Sequence, residues 1–179
     1  MPRVVYRHDN VSRFIVSAIG QPGEREFFIQ VKSDDGINTI AVEKEQVRVL
    51  SEQINNLIVE VRRSGLVDKG QVGIAPRIDN DPLEIPIEAD FQLGIASIAW
   101  KNQLIEITFQ AISSDDFILL DDLDDGPDLI IANLTIDLAK GFCIRADDLV
   151  TKGRSACPFC GLPMNLSGHL CPRANGYRR

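Results

Sequence analysis

The apolar residues of this chain change their period twice, from two to about 3.6, and that alternation limits the possible folds more than any other feature. Between Arg13 and Gly20, Phe14, Val16 and Ala18 alternate. Phe27, Ile29 and Val31 do so between Glu26 and Lys32, and a third run follows from Ile37 to Val42. Period two is the signature of a half-buried strand. Gln21-Pro22-Gly23-Glu24 and Ser33-Asp34-Asp35-Gly36 separate the runs. Both are turn sequences, with Pro presetting φ in the first and Gly accepting positive φ in each. Val47, Leu50, Ile54, Leu57, Ile58 and Val61 then recur three or four apart. Charged residues fill the opposite side, which predicts an amphipathic helix over 44–64, stopped by Gly65.

The second half repeats the order. Phe91 to Trp100 and Leu104 to Ile112 read as strands about the turn Lys101-Asn102, and Asp128 to Leu134 as a third. Thr135 is an N-cap type. Behind it Ala139, Phe142, Cys143, Ala146, Leu149 and Val150 mark a helix that ends near Gly153. Residues 66–90 carry Gly70, Gly73, Pro76, Pro82 and Pro86, and read as an irregular connection with one short strand near Val72 to Ile74.

The expected fold is therefore α+β, an antiparallel sheet built from two βββα-like halves with helices on one face. The core spans 1–153, with halves at about 1–65 and 91–153. Phe14 overlays Phe91, and Val42-Glu43-Lys44-Glu45 overlays Leu134-Thr135-Ile136-Asp137. That correspondence suggests an internal duplication. Convergence of two unrelated halves on one pattern is the alternative.

Residues 154–179 break with both periods. Cys157-Pro158-Phe159-Cys160-Gly161, followed by His169-Leu170-Cys171-Pro172, gathers three cysteines and a histidine in one short stretch. A thiolate pair two residues apart grips one ion through a tight turn, and the chain returns with His169 and Cys171. Cys157, Cys160, His169 and Cys171 form a complete tetrahedral set with zinc as the default ion, and four protein ligands leave no open position for hydrolysis. The site is then a structural, zinc-knuckle-like tail whose folding energy is metal binding. The spacing of the second pair is less usual; without His169, water or Cys143 would supply the fourth position. Cys143 is better read as a small hydrophobe on the second helix. A redox CxxC ordinarily opens a helix after a strand, whereas this pair follows a helix.

Charge is uneven. Residues 149–179 hold Lys152, Arg154, Arg173, Arg178 and Arg179 and no acid, so they carry +5 and leave −12 on the rest of a chain whose net charge is −7. That balance opposes general polyanion binding. Arg173, Asn175, Tyr177, Arg178 and Arg179 are the candidates for meeting a protein partner, a phosphate, or this chain's own acidic surface. Met1-Pro2-Arg3-Val4 has no signal-peptide core, and no run approaches the roughly 18 apolar residues of a membrane span. Four cysteines, three of them in metal spacing, fit a reducing compartment, so the expected location is cytoplasmic.

Other residues carry weaker readings. The loop from Asp115 to Asp128 contains seven Asp. With Gly126 placed sixth, however, Leu123 and Ala132 occupy ligand positions of a calcium loop, which leaves a solvated acidic loop. His8 has no nucleophile in a recognisable motif, so it reads as a surface or sheet-edge histidine rather than a base. Trp100 reads as a core plug. No Gly-rich phosphate loop, GxSxG or HExxH occurs.

From Cys157 onward the sequence CPFCGLPMNLSGHLCPRANGYRR closely resembles the end of an uncharacterised, mainly actinobacterial family known as a domain of unknown function. The resemblance extends to Pro22-Gly23, Phe27-Phe28, Glu43-Lys44, Leu93-Gly94 through Trp100, and Leu134-Thr135, and so covers nearly the whole chain. Family members commonly carry Pro where this chain has Ile136, which costs some preorganisation of the helix start. The resemblance implies an intact zinc tail on a single unit. It implies no activity, substrate or catalytic residue.

The expected role is a non-catalytic, zinc-containing binding or adaptor protein with the basic tail as its contact surface. Two other readings are single-stranded nucleic-acid binding through sheet and tail, and an enzyme acting on a phosphorylated small molecule.

Overall fold

The computed structural model describes residues 3–21, 24–113, 125–152, 157–161 and 171–173. Its strands are β1 (Val5–His8), β2 (Arg13–Ile19), β3 (Glu26–Ser33), β4 (Gly36–Val42), β5 (Phe91–Lys101), β6 (Leu104–Ala111) and β7 (Leu129–Leu134). Helix α1 (Lys44–Arg63) follows β4, and α2 (Ile136–Lys152) follows β7. All seven strands join one sheet in the order β1-β7-β6-β5-β4-β3-β2.

The sheet is mixed, which corrects the expectation of an antiparallel one. β2-β3-β4 and β5-β6-β7 are antiparallel meanders. They meet through a parallel contact of β4 with β5, confined to Ile40↔Phe91 and Ala41↔Gln92. β1, which the apolar pattern does not reveal, runs parallel to β7 from Val5↔Leu129 to His8↔Ala132. Both parallel contacts join segments far apart in sequence, where no turn specifies the partner. The short strand expected at Val72 to Ile74 is absent; a 3-10 turn at Lys69–Gln71 precedes Val72, which is exposed. Among the described residues no helix is long and apolar enough to cross a membrane.

The sheet rolls around its core. β2 and β6 are separated by β5, β4 and β3 in the sheet order, yet the rings of Phe14 on β2 and Phe109 on β6 lie 6.2 Å apart. Phe142 of α2 stacks on Phe14 at 4.5 Å. α2 thus plugs the rolled sheet and reaches β2 as well, where Arg145 Nε donates to the Val16 carbonyl at 2.6 Å.

α1 buries Val47, Leu50, Ile54, Ile58 and Val61, the stripe its period predicts. The Gln46 side chain accepts the Glu43 N–H at 2.9 Å and donates to the Leu93 carbonyl at 3.1 Å, which fixes the start of the helix beside β5. At the other end Leu66 N–H bonds to Val61 O and Gly65 N–H to Arg62 O. With Gly65 at φ +68°, this is the Schellman termination that the glycine predicts.

Candidate metal centre

After α2 the chain presents a tight turn. Pro158 stiffens it, and Gly161, at φ +73°, donates its N–H to the Cys157 carbonyl at 2.8 Å. The turn folds Cys160 back toward Cys157, and Cys171 returns to the same place. The three sulfurs all lie within 4.8 Å of one another, and Cys157 Sγ is 3.8 Å from Cys171 Sγ. A disulfide requires about 2.05 Å, so these are thiols. An ion with Zn–S bonds of about 2.3 Å in a tetrahedron has sulfur–sulfur edges of about 3.8 Å. The three cysteines therefore fit such an ion without rearrangement of that edge.

Cys157 and Cys171 are buried and Cys160 is half-buried. Burial works against ionisation of Cys157. The N–H groups of Cys160 and Phe159, with the side chains of Cys160 and Cys171, outweigh it and hold the thiol below its ordinary range. Cys143 behaves oppositely. Burial pushes its thiol up to about 12, and its Sγ lies 3.5 Å from the Ser51 carbonyl against α1. It is a core residue, not a ligand.

His169 lies outside the described residues, as do Asn175, Tyr177, Arg178 and Arg179. Arg173 is described and exposed. Its Nη1 donates to the Phe159 carbonyl at 3.4 Å, so the residue that opens the basic tail leans on the cysteine turn. Most of the acidic loop is also outside the described residues. Asp128 at its end accepts the Val4 N–H at 2.9 Å and helps seat β1.

His8 is not a surface residue. It lies on the edge strand β1 but is 2% exposed. Its Nδ1 is 2.7 Å from Ser33 Oγ, and its Nε2 is 2.7 Å from Asn38 Oδ1. An amide oxygen only accepts, so Nε2 donates to Asn38, and Nδ1 shares the second hydrogen bond with the Ser33 hydroxyl. The arrangement ties β1 to the β3–β4 hairpin. Ser33 is itself buried, which suits a clasp. Sequence reasoning missed both partners because they lie 25 and 30 residues away in an unremarkable turn and strand.

A cleft of about 1010 Å³ lies between β2 and the 79–87 part of the connection. Four of its charged residues pair with one another: Arg13 with Asp79 at 2.6 Å and Lys32 with Glu84 at 2.8 Å. Trp100 is half-buried and packs against the main core.

Taken together, these elements define an α+β protein with one rolled, mixed sheet and a C-terminal cysteine cluster capable of holding a metal ion. The family model described as "Protein of unknown function (DUF3090)" matches residues 6–171, and the chain belongs to that family. The match ends on Cys171, the last of the clustered thiols. No curated protein and no solved structure matches the chain.

Proposed function

We propose that residues 154–179 form a structural zinc knuckle with Cys157, Cys160, His169 and Cys171 as ligands, and that the protein acts as a non-catalytic binding or adaptor protein. The observation that carries this reading is the convergence of three thiols with an edge of 3.8 Å, the spacing of a tetrahedral site. Three thiolates, a neutral imidazole and Zn²⁺ leave a charge of about −1. Arg173, against the Phe159 carbonyl, is placed to offset it. A closed ligand set orders the turn and through it the start of the basic segment Arg173, Asn175, Tyr177, Arg178 and Arg179. Reduced thiols at this separation suit a reducing compartment, in keeping with a cytoplasmic protein.

The contact surface in this reading is the basic tail, directed at an acidic protein partner or at the chain's own acids. Affinity capture from the native organism with full-length protein and with residues 173–179 removed tests it. Partners retained by the full chain and lost by the truncation support the reading; an unchanged set of partners contradicts it. The two meanders, each followed by a helix, also support descent from one duplicated βββα unit.

A further inference from the structure

The three clustered thiols differ in their access to solvent. Cys157 is 4% and Cys171 3% exposed, so both sulfurs are screened. Cys160 is only half-buried, and Phe159 beside it is 44% exposed. The turn therefore meets solvent at the Cys160 end, and a small oxidant reaches that sulfur first.

A second thiol already stands beside Cys160. The three Sγ atoms lie within 4.8 Å of one another. A disulfide needs about 2.05 Å, so any two of them must approach by about 3 Å at most. Rotation of a cysteine side chain between staggered positions supplies such a shift. Chain connectivity selects the pair. Cys157 and Cys160 sit at the two ends of one turn, which the Gly161 N–H closes on the Cys157 carbonyl at 2.8 Å. Cys171 is tethered only through the longer segment beyond Gly161, and closing a longer loop costs more entropy.

We propose that Cys160 is a reversible modification site for hydroperoxides, oxidised first and then joined to Cys157 in a disulfide that dismantles the metal set. The Cys160 thiolate attacks one oxygen of hydrogen peroxide, the O–O bond breaks, and Cys160 sulfenic acid and hydroxide form. The sulfur has lost two electrons to the peroxide. The Cys157 thiolate then attacks the sulfenic sulfur, the S–S bond forms, and the S–O bond breaks to release a second hydroxide. Two thiolates and one peroxide thus give one disulfide and two hydroxides. This is a modification of the chain rather than catalysis of disulfide exchange, in keeping with a pair that follows a helix instead of opening one.

The consequence for the metal rests on the ligand set proposed above. A disulfide removes two anionic donors and leaves only His169 and Cys171, too few for a tetrahedral site. Arg173, which donates to the Phe159 carbonyl at 3.4 Å, leans on the turn that the new bond reshapes. Oxidation would thereby release the start of the basic tail from its anchor. Cys143 takes no part, since it is 2% exposed in the core against α1.

Peroxide treatment of the full, zinc-loaded chain tests the proposal, with a colorimetric chelator following zinc and peptide mapping following the thiols. The expected result is loss of the bound zinc in step with a Cys157–Cys160 disulfide, reversed by dithiothreitol and added zinc. Dimedone present during the reaction should label Cys160 before any other cysteine. Cys143→Ala should lose zinc at the wild-type rate. First labelling at another cysteine, a disulfide joining a different pair, or Cys160 driven to sulfinic acid without a disulfide overturns the proposal. So does a cluster that peroxide leaves unchanged. A chain that takes up no zinc at all contradicts the ligand reading instead. In that case the mapping still decides the modification: a Cys157–Cys160 disulfide supports it, and its absence overturns it.

Discussion

The imidazole of His8 and the amide of Asn38 meet at 2.7 Å in the interior, and through that contact the first strand is locked to a hairpin 30 residues further along. Ser33 completes the link on the other ring nitrogen at 2.7 Å. Removing the ring leaves the buried Asn38 amide oxygen without its partner, at about 1–3 kcal/mol, and leaves the buried Ser33 hydroxyl with the Asp35 N–H alone. His8→Ala is therefore expected to lose about 2–4 kcal/mol in chemical denaturation. Adding Asn38→Leu should recover part of that loss, since the stranded amide is then removed. A loss below about 0.5 kcal/mol for His8→Ala, the range of ordinary surface substitutions, contradicts the clasp.

Gly141 lies inside α2, where alanine is ordinarily better by about 1 kcal/mol. A Cβ there would collide with the Arg77 carbonyl, and Arg77 N–H is bonded to the Asp137 carbonyl at 2.9 Å. The connection must lift off the helix to admit a methyl group. Gly141→Ala is expected to destabilise by about 1–3 kcal/mol, as overpacking does. A raised thermal midpoint contradicts the contact.

Acid should loosen the connection. Hydrogen bonding from Arg13 holds the Asp79 carboxyl below its ordinary 3.8. It acts against desolvation and is helped by the Asp81 N–H and the charge of Arg145. With the folded value depressed, the stabilisation is fully present above the ordinary carboxylate range and is lost as pH falls through the folded value. Thermal midpoints from pH 6 down to pH 2 (about the span in which carboxylates titrate) should fall less steeply for Arg13→Ala than for the wild type. The variant should also be less stable at neutral pH. Parallel pH profiles contradict the assignment.

Thiol chemistry separates the four cysteines. Burial pushes the Cys143 thiol up to about 12, so near pH 8 it is almost wholly protonated. Alkylation of the chelator-treated, folded chain at that pH should modify Cys157, Cys160 and Cys171 and spare Cys143 until denaturant is added. Peptide mapping reads the result. Labelling of Cys143 at the rate of the other three contradicts its place in the core.

Local pattern carried much of this structure. The predicted helix over 44–64 and the observed α1, Lys44–Arg63, nearly coincide, because an apolar stripe and a terminating glycine are written within the segment itself. The same holds for β2 through β7, whose alternation and turns are local. β1 escaped because it is four residues long and two of them, Tyr6 and Arg7, are exposed. Its partner β7 lies over a hundred residues away, and nothing in Val5–His8 names it. The roll of the sheet was equally hidden, since the Phe14–Phe142 stack depends on where α2 returns. The clustering of Cys157, Cys160 and Cys171 was legible because metal ligands must recur at spacings a turn can close. The surroundings of His8 were not, because a hydrogen bond between distant segments leaves no period.

The metal content of the purified chain tests the central claim most directly. Elemental analysis of protein purified without chelator, beside native mass spectrometry, should find one zinc per chain in the wild type. The double variant Cys160→Ser, Cys171→Ser should hold none, and His169→Ala should bind more weakly. A wild-type chain that is folded, takes up no zinc when zinc is supplied, and leaves its three clustered thiols freely reactive in the presence of the ion contradicts the account.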